Sequence, residues 1–341
     1  MEVTEIRPDQ HTEERVTDQL RRVMAWYASN VYGVLEGAGT TPFYCDRQKV
    51  GGFAVPLADL AAGSDAALFR LFVTLSMFQG VRDVLVMRHQ RSLSDSSVGS
   101  VASVGLIARH TRMNDCEALV NPKRFVAECS VQKQGQVVSC AHHAKRECHV
   151  KDATVAFKRM GDMGKLPTSA WLSIWGQPGS VAGLLAKIVR EEASPRVRAR
   201  QLVQRLSEVH RVGVKLATFF VSALSTPALA PDVTPWYPAI DGNDLLVIDT
   251  NVARAVDRLR RLAPFPTDLS REEWLIQQAS RLDLRSFCVE FPEYSPRILQ
   301  QAVYWFCSRS NRLATLSDCS ERGNPCSACA AALCPFLLPQ A

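Results

Sequence analysis

Val209-His210-Arg211-Val212-Gly213-Val214-Lys215-Leu216-Ala217 is the stretch that decides the fold. A basic helical pattern over 194–208 precedes it, another helical pattern runs over 211–224, and a glycine turn stands between them. Together they read as a helix–hairpin–helix over about 198–224. Backbone N–H groups at such a turn, and at the N-terminus of the second helix, can hold a phosphate. Lys215 falls in that first turn, where the positive end of the helix dipole disfavours an ammonium ion. A lysine depressed in this way can act as a nucleophile. Taken alone, a solvated lysine at a helix start is the simpler reading.

Downstream, Leu245-Leu246-Val247-Ile248-Asp249-Thr250-Asn251-Val252-Ala253-Arg254 opens another helix, with Asp249 or Thr250 a natural N-cap. A capping carboxylate whose free oxygen faces outward can also steady a developing cation or assist deprotonation. Basic residues surround both stretches: Arg196, Arg198, Arg200, Arg205, Arg211 and Lys215 in the first, Arg254, Arg258, Arg260 and Arg261 in the second. The formal net charge is +6. Such runs are either solvated helix faces or a phosphate-tracking surface.

The chain closes with Cys319, Cys326, Cys329 and Cys334, separated by six, two and four residues and followed by Pro335. Four thiolates so close point to a metal centre, an iron–sulfur cluster or a structural zinc. Cys307, in Tyr304-Trp305-Phe306-Cys307, is an alternative ligand or a core thiol. A second thiol-rich region holds Cys129, Cys140, His142, His143, Cys148 and His149, with Cys116 upstream. Cys129, Cys140, His142 and Cys148 are a candidate zinc set, although their spacing matches no established zinc motif.

The remaining chain reads as mainly helical. An opening helix is expected over 12–36, a buried one over 65–81, and others near 180–192, 270–281 and 295–308. Residues 94–105, rich in serine, glycine and valine, read as a loop. Phe125–Val131 and Gln136–Cys140 alternate around Lys133-Gln134-Gly135 and read as a β-hairpin. With Lys145, Arg146, Lys151, Lys158, Arg159 and Lys165, the region 94–165 reads as a basic inserted module, suited either to widening a nucleic-acid footprint or to reading one particular modification. Hydrophobic residues make up 47% and charged residues 22%, an ordinary globular balance. With no membrane-length apolar run, no secretory signal and eleven cysteines, a reducing compartment is expected, cytoplasmic or nuclear.

Val212-Gly213-Val214-Lys215-Leu216-Ala217, then Val247-Ile248-Asp249-Thr250-Asn251-Val252, then the four-cysteine loop, resemble the helix–hairpin–helix base-excision DNA glycosylases of the endonuclease III type. Leu75-Ser76-Met77-Phe78-Gln79-Gly80 is similar to the family's early helix end, where a glutamine fills the space left by the flipped base; Gln79 is the matching position. The resemblance implies two helical domains with a small β-containing insertion. One would be discontinuous, 1–64 plus 240–341, carrying a [4Fe-4S] loop at 319–334; the other would be a helical barrel over 65–239.

It also implies that Lys215 attacks C1′, that Asp249 activates it or offsets charge on the sugar, and that Arg211, Val212, Gly213 and Val214 grip DNA. The partner would be a duplex bearing a modified or mismatched base, bound by a monomer. Two alternatives stay open: a monofunctional glycosylase using Asp249 and water, and a non-catalytic DNA-binding protein of the same fold. The chain departs from the family in three places: Arg211 stands where glycine is usual, the segment between Lys215 and Asp249 is longer, and the last cysteine gap is four residues instead of five.

Overall fold

The computed structural model describes residues 10–114, 116–141, 148–157, 162–260 and 263–308. They are mainly helical, with one two-stranded antiparallel sheet among the described residues. Two compact units divide the chain, one from residues up to Thr40 together with those from Asn243 onward, the other running from Thr41 to Gly242.

In the continuous unit the organising element is the helix Asp65–Ser76, which buries almost every side chain after its first turn. Phe69 and Phe72 each meet Trp175 at 5.2 Å, and Phe72 meets Phe220 edge-on at 5.1 Å. Phe220 in turn meets Trp236 at 5.5 Å, so one run of rings crosses the core. Each such ring contributes about 2–3 kcal/mol relative to an exposed one.

The helix ends at Ser76, earlier than its apolar run suggests, and the chain reverses through Gly80 at φ 60°. The segment 41–64 belongs to this unit, whereas the family resemblance implied that it joins the chain ends. Phe53 is fully buried, and its carbonyl accepts from the Thr74 hydroxyl at 3.3 Å.

Two local readings are overturned. Residues 94–105 are not a loop: Ser94 and Ser103 cap the helices Asp95–Ala102 and Val104–Met113. Their hydroxyls accept from the N–H groups of Ser97 and Leu106 at 3.2 and 3.3 Å. Serine favours caps as much as loops, and buried Val98, Val101 and Ala102 supply the helix's inner face. Phe125 is likewise in a helix, Pro122–Glu128, which Asn121 caps and whose first turn holds Pro122. The hairpin is shorter than expected, pairing Gln132–Gln134 with Val137–Ser139 through a turn at Gly135.

The discontinuous unit, described over 10–40, 243–260 and 263–308, is built from the helices Gln10–Tyr27, Thr250–Arg260, Asp268–Ala279 and Pro296–Cys307. Leu20, Met24, Val252, Val256, Ile298 and Phe306 make its core. The first helix passes into a single π turn, Ala28–Tyr32, before the helical run expected to reach residue 36 ends at Leu35. Arg297, only 2% exposed, donates to Gln300 and Gln301 at 2.8 Å each. Glu36 accepts from Gln301 and Trp305 at 2.9 Å each and from the Tyr27 hydroxyl. Burial raises the Glu36 carboxyl and lowers the Arg297 guanidinium to about 10. With these partners the network is a satisfied polar core.

Candidate nucleic-acid interface

The hairpin is formed by the helices Pro195–Ser207 and Val214–Ser225. Ser194 caps the first, and Pro195 occupies its first turn. Between the helices Val209 and Val212 turn inward, 2% and 3% exposed, and the Val212 N–H closes onto the Val209 carbonyl at 2.9 Å. Arg211 adopts φ 64°, the left-handed conformation for which a glycine is usual. Chain reversal is therefore kept with a side chain in place, and the departure at Arg211 does not unmake the turn.

Asp162 holds the Arg211 side chain at this turn. Its carboxylate accepts from Arg211 Nε at 2.7 Å and faces His210 Nε2 at 3.0 Å and Lys165 Nζ at 3.6 Å. Burial alone would raise this carboxyl; the Arg211 hydrogen bond and the charges of His210, Arg211 and Lys165 outweigh it and hold it low. Burial lowers the His210 imidazole, with Asp162 pulling partly the other way. Ser169 accepts the His210 N–H at 3.0 Å. Nothing in the sequence singled out Asp162, which lies in a glycine-rich stretch among basic residues. Lys165, expected on a DNA-facing surface, is instead buried at 5% exposure beside it.

Gln79 is also brought to the hairpin. Its side-chain amide donates to the carbonyls of Ser76 and Arg211, at 3.0 and 3.1 Å.

No side chain caps the N-terminus of Val214–Ser225, so its leading N–H groups lack the usual hydroxyl or carboxylate partner. Gly213, the N-cap, has φ −87°, which any residue adopts, and a Cβ there would meet nothing within 4 Å. The fold itself does not require glycine at this point. Lys215 is exposed in the first turn of this helix, and Val214 beside it is 62% exposed.

Asp249 belongs to the other unit. It is the N-cap of Thr250–Arg260: one oxygen accepts the Val252 N–H at 2.8 Å, the other the Asn251 amide at 3.0 Å.

The basic runs are partly structural. Arg198 donates to the carbonyls of Val189, Glu192 and Ala239, closing the end of the helix Ser180–Glu191. Arg196 pairs with Asp241 at 3.2 Å and Arg205 with Glu208 at 3.5 Å. Arg254 donates to Asn251 at 3.0 Å, and Arg260 lies over the Phe265 ring at 4.2 Å. Arg200 is exposed on the outer side of the first hairpin helix.

Cys319, Cys326, Cys329, Cys334 and His142 lie outside the described residues. Cys307 is the half-buried last residue of its helix. Cys129, Cys140 and Cys148 line one cavity, together with Cys116. Among the described residues, no group of three or more His, Cys, Asp or Glu stands assembled as a metal site.

No helix among the described residues is long and apolar enough to cross a membrane. No protein-family model, curated protein or solved structure matches the chain significantly.

Proposed function

We propose that the chain is a DNA glycosylase with associated lyase activity, acting on a duplex that carries a modified or mismatched base. The observation that carries this reading is the start of the hairpin's second helix. Its N-terminus has no side-chain cap, it follows a glycine the fold does not need, and it places an exposed lysine in its first turn. A phosphate fits such an N-terminus because its first N–H groups have no partner within the helix.

The Lys215 amine would attack C1′ of an extruded nucleotide, forming a C–N bond as the bond to the base breaks. The base departs with the electron pair and takes up a proton. Ring opening gives a Schiff base, and loss of a C2′ proton expels the 3′ phosphate by β-elimination. Asp249, whose carboxylate is already oriented by two hydrogen bonds, would receive or offset charge in the first step. Cys319, Cys326, Cys329 and Cys334 would hold a [4Fe-4S] cluster in a structural role.

Borohydride reduction during reaction with a panel of lesion-bearing duplexes tests this. The unmutated chain should be captured as a covalent adduct with one or more lesions, and Lys215→Ala should not. Base release that leaves an uncut abasic site and no adduct would assign the chemistry to Asp249 and water. Binding without base release from any lesion would leave a DNA-binding protein that performs no excision.

A further inference from the structure

We propose that Cys116, Cys129, Cys140 and Cys148 form a four-thiolate zinc site that locks the hairpin-bearing insertion onto the body of its unit. This inference is independent of the glycosylase reading. It also changes the ligand set expected from the sequence, bringing in Cys116 and dispensing with His142.

The four thiols come from four separate places in the chain. Cys116 precedes the short 3₁₀ turn Glu117–Val120, and Cys129 ends the helix Pro122–Glu128. Cys140 directly follows the second strand, and Cys148 precedes the helix His149–Ala156. All four line the same cavity, of about 730 Å³, and all four lean on the same small cluster of Leu119, Phe125, Val131, Val150 and Leu172. That cluster is thin for the structure it supports. Each strand of the hairpin is three residues long and turns only its middle residue partly inward. A hairpin of that size is marginal without an added constraint, and a metal joining four chain segments is such a constraint.

Backbone donors are already aimed at two of the sulfurs. The Val131 N–H reaches Cys129 and the Val150 N–H reaches Cys148, while the Lys151 N–H is bonded to the Cys148 carbonyl at 2.9 Å. A neutral thiol is a weak acceptor, whereas a metal-bound thiolate uses such donors to disperse its charge. Four thiolates around a divalent zinc leave a net double negative charge. Lys165 acts on Cys129 and Lys151 on Cys148 as the nearby positive charges.

The thiols surround the cavity instead of meeting at a point. Binding would draw them in to Zn–S distances of about 2.3 Å.

The experiment uses the full-length chain, purified with reductant from zinc-supplemented cells. Its cysteines are alkylated with one isotopic tag before chelator treatment and a second after it, then read peptide by peptide. Cys116, Cys129, Cys140 and Cys148 should all be protected at first and become reactive together, independently of the four tail cysteines. Cys116→Ser should lose about one zinc per chain, and His142→Ala should lose none. The peptide map needs no substitution and stands even if Cys116→Ser fails to fold. Equal labelling of the four with and without chelator, recovery of any pair as a disulfide, or zinc loss in His142→Ala would overturn the site.

Discussion

Asp162 Oδ1 lies 2.6 Å from Nη2 of Arg211, the residue that carries the hairpin turn at φ 64°. A left-handed conformation costs a residue with a Cβ about 1–2 kcal/mol. The carboxylate that holds Arg211 is mostly buried, at 16% side-chain exposure, while the guanidinium is half exposed at 51%. The two ends of this contact therefore matter unequally.

Arg211→Gly should change stability by no more than about 1 kcal/mol, because relief of backbone strain offsets the loss of a half-exposed ion pair. Asp162→Asn should cost about 3 kcal/mol, since it leaves the buried Lys165 ammonium without its carboxylate. Urea denaturation of the two variants measures the contrast. Equal losses would mean that Asp162 serves Arg211 alone.

Gly213→Ala separates the turn's structural role from its binding role. With open space at the Cβ position and an ordinary φ, the substitution should leave the melting temperature unchanged. A methyl group at the helix entrance should still weaken duplex binding, by about tenfold if it displaces a phosphate from one good contact. Unchanged affinity by fluorescence anisotropy would remove this N–H cluster from the interface.

Asp249 caps a helix and is also the proposed catalytic carboxylate, and two substitutions tell these roles apart. Asparagine caps as well as aspartate, so Asp249→Asn should keep stability within a few tenths of a kcal/mol while base excision collapses. Asp249→Ala should lose excision and also about 1 kcal/mol of stability. Full activity in Asp249→Asn would show that the residue only caps.

Acidification should destabilise the hairpin in two stages. The folded His210 imidazole is depressed by burial, so the unfolded chain takes up its proton first as pH falls below about 6.5. Asp162 is held low in the folded state, so its stabilisation is complete above about 3.9 and disappears as pH falls through its lower folded value. Melting temperature against pH should decline through both windows, and His210→Gln should flatten the first. A rise in melting temperature between about pH 7 and 5 would mean that the Asp162 attraction outweighs burial of His210.

Much of the helical framework is legible in the chain. Ser194-Pro195 and Ser295-Pro296 each announce a helix start, a capping hydroxyl followed by a residue with φ preset for the first turn. The apolar periods of Asp65–Ser76 and Val214–Ser225 declare their buried faces. Asp249 as a cap needed only its own side chain and the next three residues. Local misreadings have local causes. Ser94 and Ser103 are caps that resemble loop residues, and Asn121-Pro122 starts a helix in a stretch whose alternation suggests a strand.

The sequence by itself determined the interactions that act within a turn or two of chain: helix caps, apolar faces and the position of Lys215 at a helix start. Only the tertiary structure decided which distant groups serve the hairpin turn. Asp162 and Ser169 reach the hairpin from more than forty residues upstream, and Gln79 from 132 residues away. It also decided that Lys165 is an internal counter-ion and that Cys116 shares a cavity with three later cysteines. The physical reason is range. Caps and periodicity follow from bonded geometry over a few residues, whereas the partner of a buried charge or thiol depends on which segments the packed core brings together.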